Sequence, residues 1–531
     1  MSEALPPTSV PAAVDPAALE IPFRTLGAAF ADFAARHPHK IAIHSIDQNI
    51  SLDFAALDAL VERTAARMAG DGVTPGGRVA ILSGECIEKL VLMFAAWRCG
   101  ASACPFHAEI AADHLASILA TIDPALVLWR RGDLDGAALT AALACPVYSF
   151  ESLAEREGFF AALDEGPGTL PDRGAEYGPG DEGCIFATSG TTDRPKCVVW
   201  DHLGLWLCGL STIDFTGMTG DDRLLEYRTF SWLSPQIVTF MPFISLGLTI
   251  VMAGGFSRSR FMDWVRDYRI TAAAGVPTVI NMLLDEPVAF RAEDIVSLRV
   301  MTASSAPLAP ERWRQFEARY GIQLLQFYGA SEGGWLSGNR HNRRRIGTAG
   351  PPARHMDLVV VDAAGDPCPP GVEGEIAIRG AQTATAMISS DGDWQDRTSF
   401  RLTERARVGD LGVVDTDGFL TVTGRVKDVI LRGGASIAPL EIDAAIMRHP
   451  GVHEAAAIGV PDPIWGEEIA CYVVPAEGTT PTPEEIRAHA ASALPDFKRP
   501  RFVVFVDALP KNERGKVRRD DLKAMWAART G

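Results

Sequence analysis

Helical and strand-like apolar patterns alternate along much of this 531-residue chain, and that alternation limits its fold more than any other feature. From Leu26 to Arg36, the residues Leu26, Phe30, Phe33 and Ala34 recur at helical spacing, and Lys40–His44 follows as a strand. Phe54–Met68 repeats the helical spacing behind Asp53, a residue able to cap it, and Arg78–Leu82 is a strand. Cys86–Trp97 then reads as helix and Ala103–Phe106 as strand. Such alternation predicts α/β layers with parallel sheet. It recurs at Leu298–Thr302 and Pro310–Tyr320, then gives way near Asp357–Val361 to shorter strands with turn residues, a smaller β-rich subdomain. The C-terminal stretch alternates again: helix Ala438–Met447, strands Ala455–Val460 and Ile469–Val474, helix Pro483–Ala493 and strand Arg501–Val506. It reads as a separate small α+β module with its boundary in Gly424–Asp428, so we expect a large domain over residues 1–426 and a small one over 427–531. Residues 1–20, rich in Ala and Pro, read as a loose arm.

The formal net charge of −17 argues against nucleic acid or an anionic membrane as a default partner. A polyanionic ligand would have to be met by local cations. Nine scattered cysteines without a C-x-x-C pair suit a reducing compartment and argue against structural zinc or disulfides. With no basic-then-apolar leader at Met1–Pro7, the expected location is cytoplasmic. Ile237–Phe256 is long and apolar enough to span a bilayer, but Pro242, Gly247, Gly254 and Gly255 and the β-branched run Leu248–Met252 favour a buried helix turning into a buried strand. No integral membrane association is expected.

Between the apolar runs Cys184–Ala187 and Cys197–Trp200 lies Thr188-Ser189-Gly190-Thr191-Thr192-Asp193-Arg194-Pro195-Lys196. Two short strands joined by a hydroxyl-rich turn can surround a polyphosphate with hydroxyls and backbone N–H groups, while a lysine neutralises part of its charge. The glycine-to-lysine spacing differs from that of the G-x-x-x-x-G-K-[ST] loop.

These nine residues resemble the phosphate loop of the adenylate-forming superfamily: acyl- and aryl-CoA synthetases, peptide-synthetase adenylation domains and luciferases. Further matches follow in that superfamily's order: Tyr328-Gly329-Ala330-Ser331-Glu332, Gly374–Gly380, Gly409-Asp410-Leu411, Gly424–Asp428 and Pro510–Lys516. Six motifs in order span roughly residues 188–516, the resemblance covers nearly the whole chain, and it is strongest to AMP-forming acyl-CoA synthetases. It implies a large N-terminal domain of layered α/β subdomains plus a β-rich subdomain, with a small mobile α+β C-terminal domain. It also implies ATP, Mg²⁺ and a carboxylic acid as reactants, with CoA as second substrate, and a possible homodimer.

Carried over residue by residue, the resemblance puts Thr188, Ser189, Gly190, Thr191, Thr192 and Lys196 around the β- and γ-phosphates. Asp193 and Cys197 stand where the superfamily commonly has glycine. Tyr328, with Gly329 beside it, would stack on adenine. The Ser331 hydroxyl would contact the α-phosphate, and Glu332 would hold Mg²⁺. Ser304-Ser305-Ala306-Pro307 resembles the small-residue turn flanking adenine and the acyl pocket. Asp410 would accept the ribose hydroxyls with Arg425 in support. Lys516 matches the lysine that bridges the acyl carboxylate and ATP, Lys427 the hinge, and Gly433-Gly434 the passage for pantetheine.

The segment Glu226–Gln236 covers the region lining the acyl pocket in relatives, with Arg228, Phe230, Ser231, Trp232 and Gly333 as its candidates. Peptide-synthetase domains place an aspartate close to position 231, and many acyl and aryl ligases a histidine; this chain has Ser231, which disfavours an amino-acid substrate. Phe230 and Trp232 suit a flat or short apolar acid. Arg228 is available to a second anionic group, but Glu226 and Asp222 nearby favour a structural ion pair. The reaction implied is an AMP-forming acid–CoA ligation. Delivery of the acyl group to a carrier protein, a luciferase-like oxygenation and a non-catalytic nucleotide-binding regulator remain alternatives.

Overall fold

The computed structural model describes residues 22–108, 110–133, 143–153, 157–163, 168–188, 196–389, 391–433, 435–511 and 515–530. Among them, two eight-stranded sheets dominate the large domain. In one, the strands Ile41–Ser45, Thr249–Met252, Arg223–Glu226, Ala272–Ala273, Val300–Ala303 and Gln323–Ala330 run parallel. Ile50–Asp53 and Gly334–Gly338 close its two edges antiparallel. The other has a parallel core of Val147–Phe150, Leu126–Arg130, Arg78–Leu82, Ser102–Phe106 and Glu182–Thr188. Lys196–Asp201, Ala386–Ile388 and Trp394–Asp396 extend it antiparallel.

The helices fall where the apolar periodicity puts them. Asp53 caps helix Phe54–Gly70 by accepting the Ala56 N–H at 2.8 Å, satisfying one otherwise orphaned donor. Helix Ile87–Arg98 is buried on every face, as expected of a helix packed on all sides. One apolar cluster takes Ile43, Leu224 and Ile250 from the first sheet, Val79, Ala103 and Leu126 from the second, and Leu90 and Phe94 from that helix, so both sheets share a core. Ile237–Phe256 does not form a single helix. A π-helical turn Gln236–Phe240 runs into helix Met241–Leu246, Gly247 turns the chain in the left-handed region (φ 69°), and strand Thr249–Met252 follows. No helix among the described residues is long and apolar enough to cross a membrane.

A four-stranded antiparallel sheet of Asp357–Val361, Gly374–Arg379, Ala406–Val414 and Leu420–Arg425 forms the β-rich subdomain. Beyond it, Ile430–Arg432, Ala435–Ile437, Val452–Asp462, Gly466–Pro475 and Phe502–Phe505 make a five-stranded sheet with helices Pro439–Ile446, Pro483–Ala493 and Arg519–Thr530. Its two faces carry apolar clusters of their own, around Ile442 and Ile486 and around Val460 and Leu522. The molecule is thus mixed α/β, a large N-terminal region with a small α+β C-terminal one.

Candidate active site

Strands Glu182–Thr188 and Lys196–Asp201 pair antiparallel with Thr188 opposite Lys196, so the register sets the two ends of the hydroxyl-rich segment side by side. Ser189, Gly190, Thr191 and Thr192, with Asp193 and Arg194, lie outside the described residues. Lys196 is exposed. Cys197, next along the strand, is buried, and burial pushes its thiol up to about 12, leaving it unreactive.

The second strand leads directly to the next motif. Trp200 Nε1 donates to the Ser331 carbonyl at 3.2 Å, and Ala384 N donates to the Glu332 carbonyl at 2.9 Å. These bonds fix the turn between strands Gln323–Ala330 and Gly334–Gly338. The turn is tight: a Cβ on Gly329 would lie 2.4 Å from the Gly334 carbonyl oxygen, and one on Gly333 2.7 Å from both Ile378 and Leu336. The Glu332 carboxylate makes no hydrogen bond or ion pair among the described residues, and Arg397 is the cation that senses its charge.

Tyr328, at the end of its strand, donates its hydroxyl to Asp410 Oδ2 at 2.6 Å, while Arg425 Nε meets Asp410 Oδ1 at 3.0 Å. Asp410 and Arg425 face each other across adjacent strands of the β-rich subdomain. Burial first, then the Asp410 carboxylate, raises the Tyr328 phenol well above its usual range, so it stays a donor. Nearby, Ser305 sits at φ 75°, a left-handed conformation that a serine adopts only at some cost, and the Ser304 hydroxyl is buried with no partner among the described residues. Ala306 and Pro307 complete that turn at the surface.

Lys516 arrives at this site from the C-terminal region. It is close enough to Arg425, Asp410, Asp428 and Lys427 for each to act on its titration. Burial, and then Arg425, lowers its ammonium to about 8 against the opposing pull of Asp410. Gly515 beside it has φ 73°, and a Cβ there would lie 2.1 Å from Thr278 Oγ1 of helix Pro277–Asp285, so this loop is seated against the large domain. His453 and Asp285 form a second contact between the two regions, at 3.8 Å. Lys427 pairs with Asp520 at 3.4 Å. Gly433 packs on the Trp465 ring within the small domain; Gly434 is outside the described residues.

In the segment Glu226–Gln236, the Arg228 guanidinium is held by Glu226 (2.9 and 2.7 Å) and by the Ser234 hydroxyl at 2.8 Å, all but buried, and Asp222 pairs with Arg299 instead. Arg228 is therefore a structural ion pair here. Phe230 stacks on Phe240 at 4.5 Å, and Trp232 is half-buried. Ser231 accepts a hydrogen bond from Lys89 at 2.7 Å, and Lys89 also pairs with Glu85 at 2.7 Å. Sequence reasoning missed Lys89, Glu85, Thr278 and Arg397. The i,i+4 spacing of two opposite charges in an apolar run was the one available signal, for Glu85 and Lys89.

Glu332, with no hydrogen bond or ion pair among the described residues, thus lies near the Tyr328–Asp410–Arg425 group, and Lys516 comes to that same group from the C-terminal region. The profile of the AMP-binding enzymes matches residues 30–386, and that of the AMP-binding enzyme C-terminal domain matches 441–516; the chain belongs to this family. It is 31% identical over 504 residues to an indoleacetate–CoA ligase of Aromatoleum aromaticum, covering 94% of this chain and 97% of that one. It is 32% identical over 503 residues to a sulfoacetate–CoA ligase of Cupriavidus necator, with coverage of 94% and 97%. ATP-bound MatB from Rhodopseudomonas palustris superposes with a TM-score of 0.84 at 28% identity, covering 94% of this chain and 99% of that one. The chain is an AMP-forming acid–CoA ligase, and ATP, Mg²⁺ and CoA are the reactants its family uses.

Glu332 fits Mg²⁺ in the way that ion is usually held, by a carboxylate plus substrate phosphates, since its hard oxygens make no hydrogen bond or ion pair among the described residues.

Proposed function

We propose that Lys516, Glu332 and Ser331 carry the adenylation half-reaction in a cleft closed by the small domain, and that Lys427 is the hinge on which that domain, residues 427–531, later turns away. The observation that carries this reading is Lys516 within electrostatic reach of Asp410 and Arg425 while its loop is seated on Thr278.

In the proposed sequence, a carboxylate oxygen attacks the α-phosphorus, the bond to the bridging oxygen breaks, and pyrophosphate leaves. The Lys516 ammonium spans the two anions as they approach, the Ser331 hydroxyl holds the α-phosphate, and Thr188–Thr192 with Lys196 hold the leaving phosphates. Mg²⁺, held by Glu332, would neutralise phosphate charge. Tyr328 with Gly329, and Ser304–Pro307, hold adenine; Asp410 and Arg425 hold the ribose. The CoA thiolate then attacks the acyl carbon past Gly433 and Gly434, and AMP departs. Phe230, Ser231, Trp232 and Gly333 wall the acyl group, with Arg228 braced behind them by Glu226. All nine cysteines are free thiols, which supports a cytoplasmic setting.

The test is pyrophosphate release against a panel of carboxylic acids with MgATP, with and without CoA. Lys516→Ala should lower adenylation by about a hundredfold or more while ATP binding is kept. A variant that forms acyl-adenylate at the native rate would overturn the assignment.

A further inference from the structure

Beneath the segment read as the acyl wall lies a buried polar cluster that the reaction does not use. Lys89, in the middle of the buried helix Ile87–Arg98, has no exposed side-chain surface, and Glu85 is almost as buried. Lys89 Nζ donates to the Ser83 carbonyl (3.1 Å), Glu85 Oε1 (2.7 Å) and Ser231 Oγ (2.7 Å), so all three ammonium hydrogens are committed. Glu85 also accepts the Thr229 hydroxyl at 2.5 Å and the Phe230 N–H at 3.1 Å, and Thr229 Oγ1 accepts the Ser231 N–H at 3.2 Å. Two hydroxyls stand out in this otherwise paired cluster: Ser83 Oγ, buried with no partner among the described residues, and that of Ser231. An ammonium can only donate, so Ser231 Oγ must accept from Lys89, and its own hydrogen is directed away. Among the described residues no acceptor receives it, although Ser231 is 3% exposed.

A second feature of the same segment points to a ligand. Gln236–Phe240 forms a π-helical turn, a distortion that recurs at binding sites. Gln236 opens that turn, donates to the Phe230 carbonyl, and leaves its own Oε1 buried without a partner among the described residues. A buried polar atom with no partner in the protein calls for an explanation, and a bound ligand is one.

We propose that Ser231 presents a hydrogen-bond donor to the acyl group, aimed by the Lys89–Glu85 pair, and that the acid this enzyme takes carries an oxygen that accepts it. This rests on the reading that residues 230–232 line the acyl pocket. Lys89 is a positioning residue: it touches no substrate, and it sets which way the serine hydroxyl points. An acid without the oxygen would leave that hydrogen buried and unpaired, which is how a polar pocket rejects an apolar analogue.

The experiment compares matched pairs of acids, hydroxy- or oxo-substituted against their deoxygenated isosteres, by kcat/KM for pyrophosphate release. The native enzyme should prefer the oxygenated member of at least one pair by roughly tenfold or more. Ser231→Ala should bring that ratio close to one through the acid's KM, and Ser231→Thr should restore it. Because Lys89→Met alone strands a buried carboxylate, the paired change Glu85→Gln with Lys89→Met tests the clamp. It should also flatten the ratio while the KM for ATP stays native. A preference that survives Ser231→Ala, or a native enzyme active only on the deoxygenated acids, overturns the proposal and leaves the ligase reading standing. Release with no acid at all overturns both.

Discussion

At the scale of single residues, the chemistry turns on how a few polar groups are held before any reactant arrives. Lys516, brought down to about 8 by burial and by Arg425, loses its proton as pH rises through that value. If its charge is what adenylation needs, kcat/KM should fall about tenfold per unit above pH 8. In kcat the same limb should lie at higher pH, because the bound triphosphate favours the ammonium. Lys516→Arg, charged at every accessible pH, should remove the limb whatever its effect on rate. A pH–rate series in both parameters checks the sign. Tyr328→Phe deletes the 2.6 Å bond to Asp410 and should weaken ATP binding about fivefold, near 1 kcal/mol, measured by titration calorimetry. The motifs that carry the proposed nucleotide site were legible in the sequence because each is short and local. Ser231 was legible as a departure from the usual aspartate or histidine. What stands behind it was not, since Lys89 lies 142 residues away and only folding brings them together.

At the scale of elements, helices with local causes read correctly. Asp53 as a cap, the stop of helix Pro310–Tyr320 at Gly321 in the left-handed region, and the Pro and Gly residues breaking Ile237–Phe256 all act within a few residues. Strand ends shifted by one to three residues, and the π-helical turn had no sequence signal, because its register depends on Phe230 and Glu226 bonding to Gln236 and Thr239. The hairpin carrying Ser331 and Glu332 should be the least tolerant element. Gly329→Ala puts a methyl 2.4 Å from a backbone oxygen, where no side-chain rotation can relieve it. A loss of roughly 2–3 kcal/mol in chemical denaturation, with activity lost alongside, is expected. Ser305→Gly, by contrast, relieves a left-handed serine and should stabilise by about 1 kcal/mol in the same assay.

At the scale of the whole molecule, the C-terminal module was legible as a unit, because its alternation restarts after Gly424–Asp428, but its seat on the large domain was not. Thr278 has no motif of its own; it matters because Gly515 comes to rest against it. Gly515→Leu should keep that loop from docking and so suppress pyrophosphate release. Conversion of a preformed acyl-adenylate to thioester should continue, since that step is proposed to follow once the module has turned away on Lys427. Measuring the two half-reactions separately distinguishes lost docking from lost folding. The Trp200 bond to the Ser331 carbonyl has a further consequence. It ties strand Lys196–Asp201 to the turn carrying Ser331 and Glu332, and apart from Gly333 in that turn neither element belongs to the proposed acyl wall or to the helix beneath it. On the proposed assignment, side chains around positions 89 and 231 can change with the acid taken, without recalibrating the span over which the nucleotide is gripped.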